Sequence, residues 1–91
     1  MDTAERLETI RQRIEAAMTP EVLSVEDEGH LHVGHEGAKD GRGHFRVMVV
    51  AECFEGRSQI QRHRMIYEAL GSLMASDIHA LAIEAYSSSE I

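Results

Sequence analysis

The chain of 91 residues has a single cysteine, a single proline, no tryptophan, two phenylalanines and two tyrosines. One thiol, Cys53, excludes an internal disulfide and any multi-cysteine zinc site built within one chain, and it fits a reducing compartment. With only Phe45, Phe54, Tyr67 and Tyr86 to supply rings, aliphatic side chains must provide most of the buried surface of a modest core. The N-terminus has no apolar signal-peptide core, and no run is long enough to span a bilayer, so a cytoplasmic location and no membrane partner are expected. Catalytic signatures are also missing. Cys53 has no protease-type surroundings, and H-E-x-x-H, the P-loop and G-x-G-x-x-G do not occur. The expectation is a non-enzymatic protein with no small-molecule substrate.

Positive charge is the scarcer sign, with nine Lys and Arg against sixteen Asp and Glu, for a net charge of −7. It is also unevenly placed. Residues 1–36 hold three arginines against nine acids, and residues 65–91 hold four acids and no basic residue. Residues 39–64 hold six basic residues, Lys39, Arg42, Arg46, Arg57, Arg62 and Arg64, against three acids. An acidic protein therefore carries one basic middle, suited to an acidic protein face, a small anion or phosphate. The net charge argues against strong non-specific nucleic-acid binding.

One domain over residues 1–91 is expected. Asp2 can cap a first helix, with Glu5 at the capping-box position. Leu7, Ile10, Ile14 and Ala17/Met18 then mark one apolar face, and Thr19-Pro20 stops the helix. Val22–Val25 reads as a strand, followed by Glu26-Asp27-Glu28 and Gly29. The alternating His30-Leu31-His32-Val33 could extend it beyond a bulge. Gly34 to Gly43, with four glycines, reads as a long hairpin loop of the kind that carries function. In a second strand, His44–Ala51, Phe45, Val47, Val49 and Ala51 share one face; His44, Arg46, Met48 and Val50 share the other.

The main helix is expected from Ser58 to Ala75. Ser58-Gln59-Ile60-Gln61 has the S-x-x-Q form of a capping box, and Ile66, Leu70, Leu73 and Met74 form its buried stripe. Arg57, Arg62 and Arg64 crowd its start, where the helix dipole disfavours cations, so solvent, a partner or a carboxylate must hold them. His63 and Arg64 read first as residues holding the helix against neighbouring backbone. A last strand, Ile78–Tyr86, places His79 in the same parity as Leu81, Ile83 and Ala85, on the apolar face. The order is α-β-β-α-β: an α+β fold with helices packed on one face of a small three-stranded sheet.

Neutral imidazole is a common metal ligand, which singles out His30, His32, His35 and His44 around the hairpin, with His63 and His79. Taken one by one, each is more often a surface residue, and a histidine on an apolar face is more often a hydrogen-bonded, partly buried one. Gly34-His35-Glu36-Gly37 matches the G-x-x-G of KH domains, but it lies between strands, whereas the nucleic-acid clamp joins two helices. Where such a clamp would fall, this chain has Ser58-Gln59-Ile60-Gln61.

Several stretches taken together resemble the BolA family. They are Glu26-Asp27-Glu28, His44-Phe45-Arg46-Val47, Phe54-Glu55-Gly56, Arg62-His63-Arg64-Met65-Ile66-Tyr67 and His79-Ala80-Leu81-Ala82-Ile83. The resemblance implies a KH-like α+β fold without the G-x-x-G clamp. It implies pairing with a monothiol glutaredoxin, as a heterodimer that binds apo or shares a [2Fe-2S] cluster with that protein and glutathione, in iron–sulfur trafficking and iron homeostasis. It also links some bacterial members to transcription regulation, cell shape and stress response. The family's ligating histidine at the head of the last strand falls on His79. A second ligand in the hairpin loop falls on His32 when counted without gaps, with His35 and His30 as alternatives. A cluster needs four ligands, mostly thiolates, and histidine can replace cysteine on one iron; this chain cannot supply four alone.

Arg57, Arg62, His63 and Arg64 are then candidates for meeting an acidic partner face or nucleic acid. Two alternatives stand beside the shared cluster. One is a KH-like DNA-binding regulator that contacts phosphate through residues 39–64. The other is a metal-independent interaction adaptor.

Overall fold

The computed structural model describes residues 1–29 and 41–91. His30, His32 and His35, the expected extension over 30–33 and the glycine-rich stretch up to residue 40 lie outside the described residues.

Helix α1 spans Thr3–Met18. Its entry is fixed by the Glu5 amide, which donates to Asp2 Oδ1 at 2.8 Å. Its exit is fixed by Thr19 in the left-handed region (φ 46°), whose N–H donates to Glu15 O. Ile10, Ile14 and Met18 turn inward. Strand β1 (Val22–Asp27) pairs antiparallel with β2 (Gly43–Val50), and β2 pairs parallel with β3 (Ile78–Tyr86), giving the order β1-β2-β3. The central strand needs a crossover to reach its parallel partner, as any parallel pair does. That crossover holds a 3-10 turn (Glu52–Phe54), helix α2 (Gln59–Leu70) and the single turn α3 (Leu73–Ser76).

The alternation expected for β2 is present from Phe45 to Val49, while His44 and Val50, which belong to the other face, are buried as well. Phe45, Val47, Val49 and Ala51 are all buried, and the register sets Val25 and Leu23 on one side and Ile83 and Ala85 on the other beside Val47 and Val49. Ile10, Ile14, Ile66, Leu70 and Leu73 pack onto this face. Each fully buried aliphatic side chain stabilises the fold by roughly 1.5–3 kcal/mol before entropy is counted. Among the described residues the result is an α+β fold of three helices and a three-stranded mixed sheet.

The main helix differs from the continuous Ser58–Ala75 expected. It ends at Leu70, and Gly71, with φ 54° and ψ −127°, occupies backbone space that only glycine enters readily. The apolar spacing hid this break because Leu73, in α3, returns to the same core. At the other end the capping box is complete: the Gln61 amide donates to Ser58 Oγ (3.2 Å) and the Ser58 amide to Gln61 Oε1 (2.9 Å). Arg13 ties the helices together, donating from Nη1 to Leu70 O at 3.0 Å, where the end of α2 leaves a carbonyl to satisfy. No helix among the described residues is long and apolar enough to cross a membrane.

Candidate metal-binding site at the head of the last strand

Where β2 and β3 begin side by side, the register slips. Gly43 pairs with Ile78, but His44 pairs with Ala80, so His79 is an extra residue on β3. This bulge corrects the expected position of His79. Ile78 is buried (1% exposed) and the inward parity resumes at Leu81, while His79 is exposed. A one-residue slip moves a side chain to the other face. His79 therefore leaves the apolar face and lies against His44, with ring centroids 5.0 Å apart and planes tilted by 50°.

Small residues and ion pairs fix this corner. A Cβ on Gly43 would stand 2.6 Å from the Phe45 ring, so only glycine lets that ring fold back over the strand start. The Gly43 amide donates to Asp77 O at 2.9 Å. Arg6, reaching from α1, donates to Asp77 Oδ1 (3.1 Å) and to Gly41 O (2.7 Å), which anchors both strand starts to the first helix. The Ser76 hydroxyl, and after it Arg6, hold the Asp77 carboxyl below the usual carboxylate range. On the open face Arg46 donates to Glu28 Oε2 at 3.0 Å. That bond first, and then the charges of Glu28, Glu84 and Glu26, raise the Arg46 guanidinium further above its ordinary range. Ala80 and Ala82 leave a shallow open recess between His44, Arg46 and Glu28. Arg42 Nη2 lies 3.1 Å from His79 Nδ1.

Among the expected ligands, only His79 falls within the described residues. His44, weighed with the other histidines but not assigned as a ligand, and Arg42, counted only in the basic middle, stand beside it. The alternation did place His44 on the face away from the helices, where it is nonetheless buried at 7% exposure, but no local pattern reveals the bulge that brings His79 to it. Cys53 is exposed in the 3-10 turn after β2. It follows the far end of the strand whose start carries His44, with about 20 Å of strand rise between His44 and Val50. Among the described residues no group of three His, Cys, Asp or Glu side chains is gathered around one point. The described part of the site thus offers two imidazoles and no thiolate. A [2Fe-2S] cluster fits such a donor set only with ligands added from elsewhere.

The members of the basic group at the start of α2 differ in what holds them. Arg62 is 4% exposed and its donors are spent inside the fold. Nε donates to Arg57 O (2.9 Å), and Nη1 to Ala85 O (3.1 Å) and Glu90 Oε1 (2.6 Å). The guanidinium also lies 5.9 Å from the centroid of the Phe54 ring. The contact needed to hold a cation at a helix start is therefore a carboxylate, Glu90. Arg62, rather than Arg64, ties the helix to neighbouring backbone, because position 62 shares the inward side of the helix with Ile66. Arg57 and Arg64 are exposed and His63 is half-buried. Arg57 and Arg64 border a cleft with Gln61, Met65 and Glu68, beside exposed Ile60 and Tyr67.

A family profile described as BolA-like protein matches residues 14–90. BolA-like protein 1 of Mus musculus is 46% identical over 76 residues, covering 84% of this chain and 53% of that protein. SufE-like protein 1, chloroplastic/mitochondrial, of Arabidopsis thaliana is 37% identical over 87 residues, covering 90% of this chain and 24% of that protein. The chain thus spans about half the length of the one and a quarter of the other. The solved BolA domain of SufE1 from Arabidopsis thaliana superposes with a TM-score of 0.84 at 35% identity, covering 100% of this chain and 99% of that one. The sheet order, the buried face and these matches agree, and the chain belongs to the BolA-like protein family.

Proposed function

We propose that the chain is a non-enzymatic adaptor of iron–sulfur trafficking and iron homeostasis. It pairs with a monothiol glutaredoxin in the cytoplasm and helps hold a [2Fe-2S] cluster between the two proteins through His79. The observation that carries this reading is the exposed imidazole of His79, turned out of the core by the bulge and set 5.0 Å from a second imidazole, His44. When bound, such a cluster supplies one-electron chemistry at a potential that histidine ligation raises. The chain's own contribution is to hold an imidazole at a rigid sheet corner and to leave an open recess over Ala80 and Ala82 beside it. The remaining ligands are the partner's cysteine and glutathione, and His32, His35 or His30 is the companion from the loop. Arg57, Arg64 and His63 form the side that meets an acidic partner face. The relative named SufE-like, in which this domain is one quarter of the protein, supports an iron–sulfur context.

DNA is the competing partner. That reading has less to draw on, because Arg62 and Arg46 are already committed to Glu90 and Glu28. The test is anaerobic reconstitution with a monothiol glutaredoxin, iron, sulfide and glutathione, followed by visible circular dichroism. We expect a cluster spectrum distinct from that of glutaredoxin alone, lost with His79→Ala, and loop variants that then identify the companion ligand. A spectrum identical to glutaredoxin alone would remove the shared cluster. Complex formation unaffected by cluster loss or by His79→Ala would favour the metal-independent adaptor.

A further inference from the structure

We infer that the outer edge of β3 is a self-association surface, to which a second copy of this chain adds its own β3, antiparallel, about a two-fold axis at Ala82. β3 is an edge strand, since the sheet order is β1-β2-β3. Tyr86 O accepts from the Ala51 amide at 3.0 Å, so the main-chain groups of Tyr86 face β2. Ala85 O faces the other way, accepting from Arg62 Nη1 and Gln59 Nε2, both at 3.1 Å. Main-chain groups alternate in direction along a strand, and the pairing with β2 runs unbroken from Ala80 to Tyr86. Leu81 and Ile83 therefore point their N–H and C=O outward, as Ala85 does. Among the described residues no hydrogen bond reaches those four groups.

The open window is short and self-complementary. The bulge at His79 closes its head, Arg62 and Gln59 close its tail, and Ala82 is its middle residue. A two-fold axis at Ala82 sets Leu81 opposite the second copy's Ile83, and Ile83 opposite its Leu81. Each pair exchanges two N–H···O bonds, so all four outward groups are satisfied in both copies. Ala82 meets itself in the closer, non-hydrogen-bonded pairing, where Cα atoms stand about 4.5 Å apart and a methyl group fits. Glu84 falls opposite Ala80, so no like charges are set directly against each other. Neighbouring registers are worse. An axis at Ile83 would pair Leu81 with Ala85, whose carbonyl is already held, and an axis at Leu81 would pair Ile83 with the bulge. The opposite edge is guarded: β1 carries Glu26 and Asp27, with Glu21 and Glu28 at its ends. β3 has one acid and no lysine, arginine or proline.

The test is the mass of the full chain by sedimentation equilibrium from micromolar to millimolar concentration, with amide NMR shifts followed over the same range. We expect a weak monomer–dimer equilibrium in which the Leu81 and Ile83 amides move as the dimer forms while those of β1 stay still. Each copy carries a net charge of −7, so added salt should tighten the association. Ala82→Lys and Ala82→Glu each place like charges across the axis, and each should weaken self-association by about fivefold or more. Mixing the two variants in equal amounts should restore it to the wild-type level or beyond, because Lys then faces Glu. That rescue separates a lost contact from a damaged fold. A wild type that stays monomeric at millimolar concentration would overturn the proposal. So would a dimer that loosens with salt or leaves the Leu81 and Ile83 amides unmoved, or a mixture no stronger than either variant alone.

Discussion

Arg62 shows how a surface-looking cation can be a core residue. Its guanidinium closes the gap between the start of α2, the end of β3 and the final 3-10 turn, Ser88–Glu90. Arg62→Met would remove a donor from the carbonyls of Arg57 and Ala85, the latter keeping Gln59 Nε2 at 3.1 Å, and would leave Glu90 without its cation. We expect a loss of about 2–4 kcal/mol in denaturant unfolding. Bonds from Arg62 first, and from the Ser87 amide second, lower the Glu90 carboxyl from 4.5 to about 2. Because the folded value is the depressed one, this contribution is complete above pH 4.5 and is lost as pH falls from there through about 2. Thermal melts at pH 6 and pH 2.5 should show a smaller acid-induced drop in Glu90→Gln than in the wild type. Charge alone could not distinguish Arg62 from Arg57 or Arg64 in the sequence. Its spacing of four from Ile66 was the available signal, and the resemblance drew attention to the whole basic group instead.

Two glycines decide where elements begin and end. Gly71 interrupts a hydrophobic pattern that is continuous in the sequence, and a Cβ there would meet Arg13 Nη1 at 3.5 Å and Glu68 O at 3.9 Å, both ordinary contacts. Space is therefore not the obstacle in Gly71→Ala; the backbone angles are, and we expect a cost of about 1–3 kcal/mol. At Gly43 the angles are ordinary and the obstacle is Phe45. Gly43→Ala should force that ring aside, lower stability by roughly 1–3 kcal/mol and move the His44 and His79 resonances in NMR spectra, because the bulge begins there. The helix cap makes a third, simpler test: Ser58→Ala should cost about 1 kcal/mol. Caps, strand parity and the stop at Thr19-Pro20 were legible because each is a local rule. The helix break and the bulge were not, since each is settled by what the neighbouring element requires.

For the molecule as a whole, the sequence order and the single buried face sufficed to predict three strands and helices on one side. The candidate site was legible only in part. His79 stood out by family resemblance, yet its expected orientation was inward. Arg42 and His44 come into play only once β2 and β3 lie parallel with a one-residue slip. At this scale the uneven charge is sharpened by the fold: Arg6, Arg46 and Arg62 are each matched to an acid, leaving Arg57 and Arg64 exposed on the α2 side. Under the proposed pairing with a monothiol glutaredoxin, Arg64→Glu should weaken that binding by roughly 1 kcal/mol at low salt and by less as salt rises. An affinity unchanged by that reversal would place the partner on another face.

The parallel run of β2 and β3 also separates the molecule's only thiol from its imidazole corner. Cys53 is exposed at one end of the central strand, while His44 opens the other end. A fluorophore or spin label attached to Cys53 would therefore report on distance without touching the corner where His79 lies. Attached to the otherwise unaltered chain, one such label would measure how far a docked partner sits from the Cys53 end of the sheet, and so distinguish docking at that end from docking at the imidazole corner.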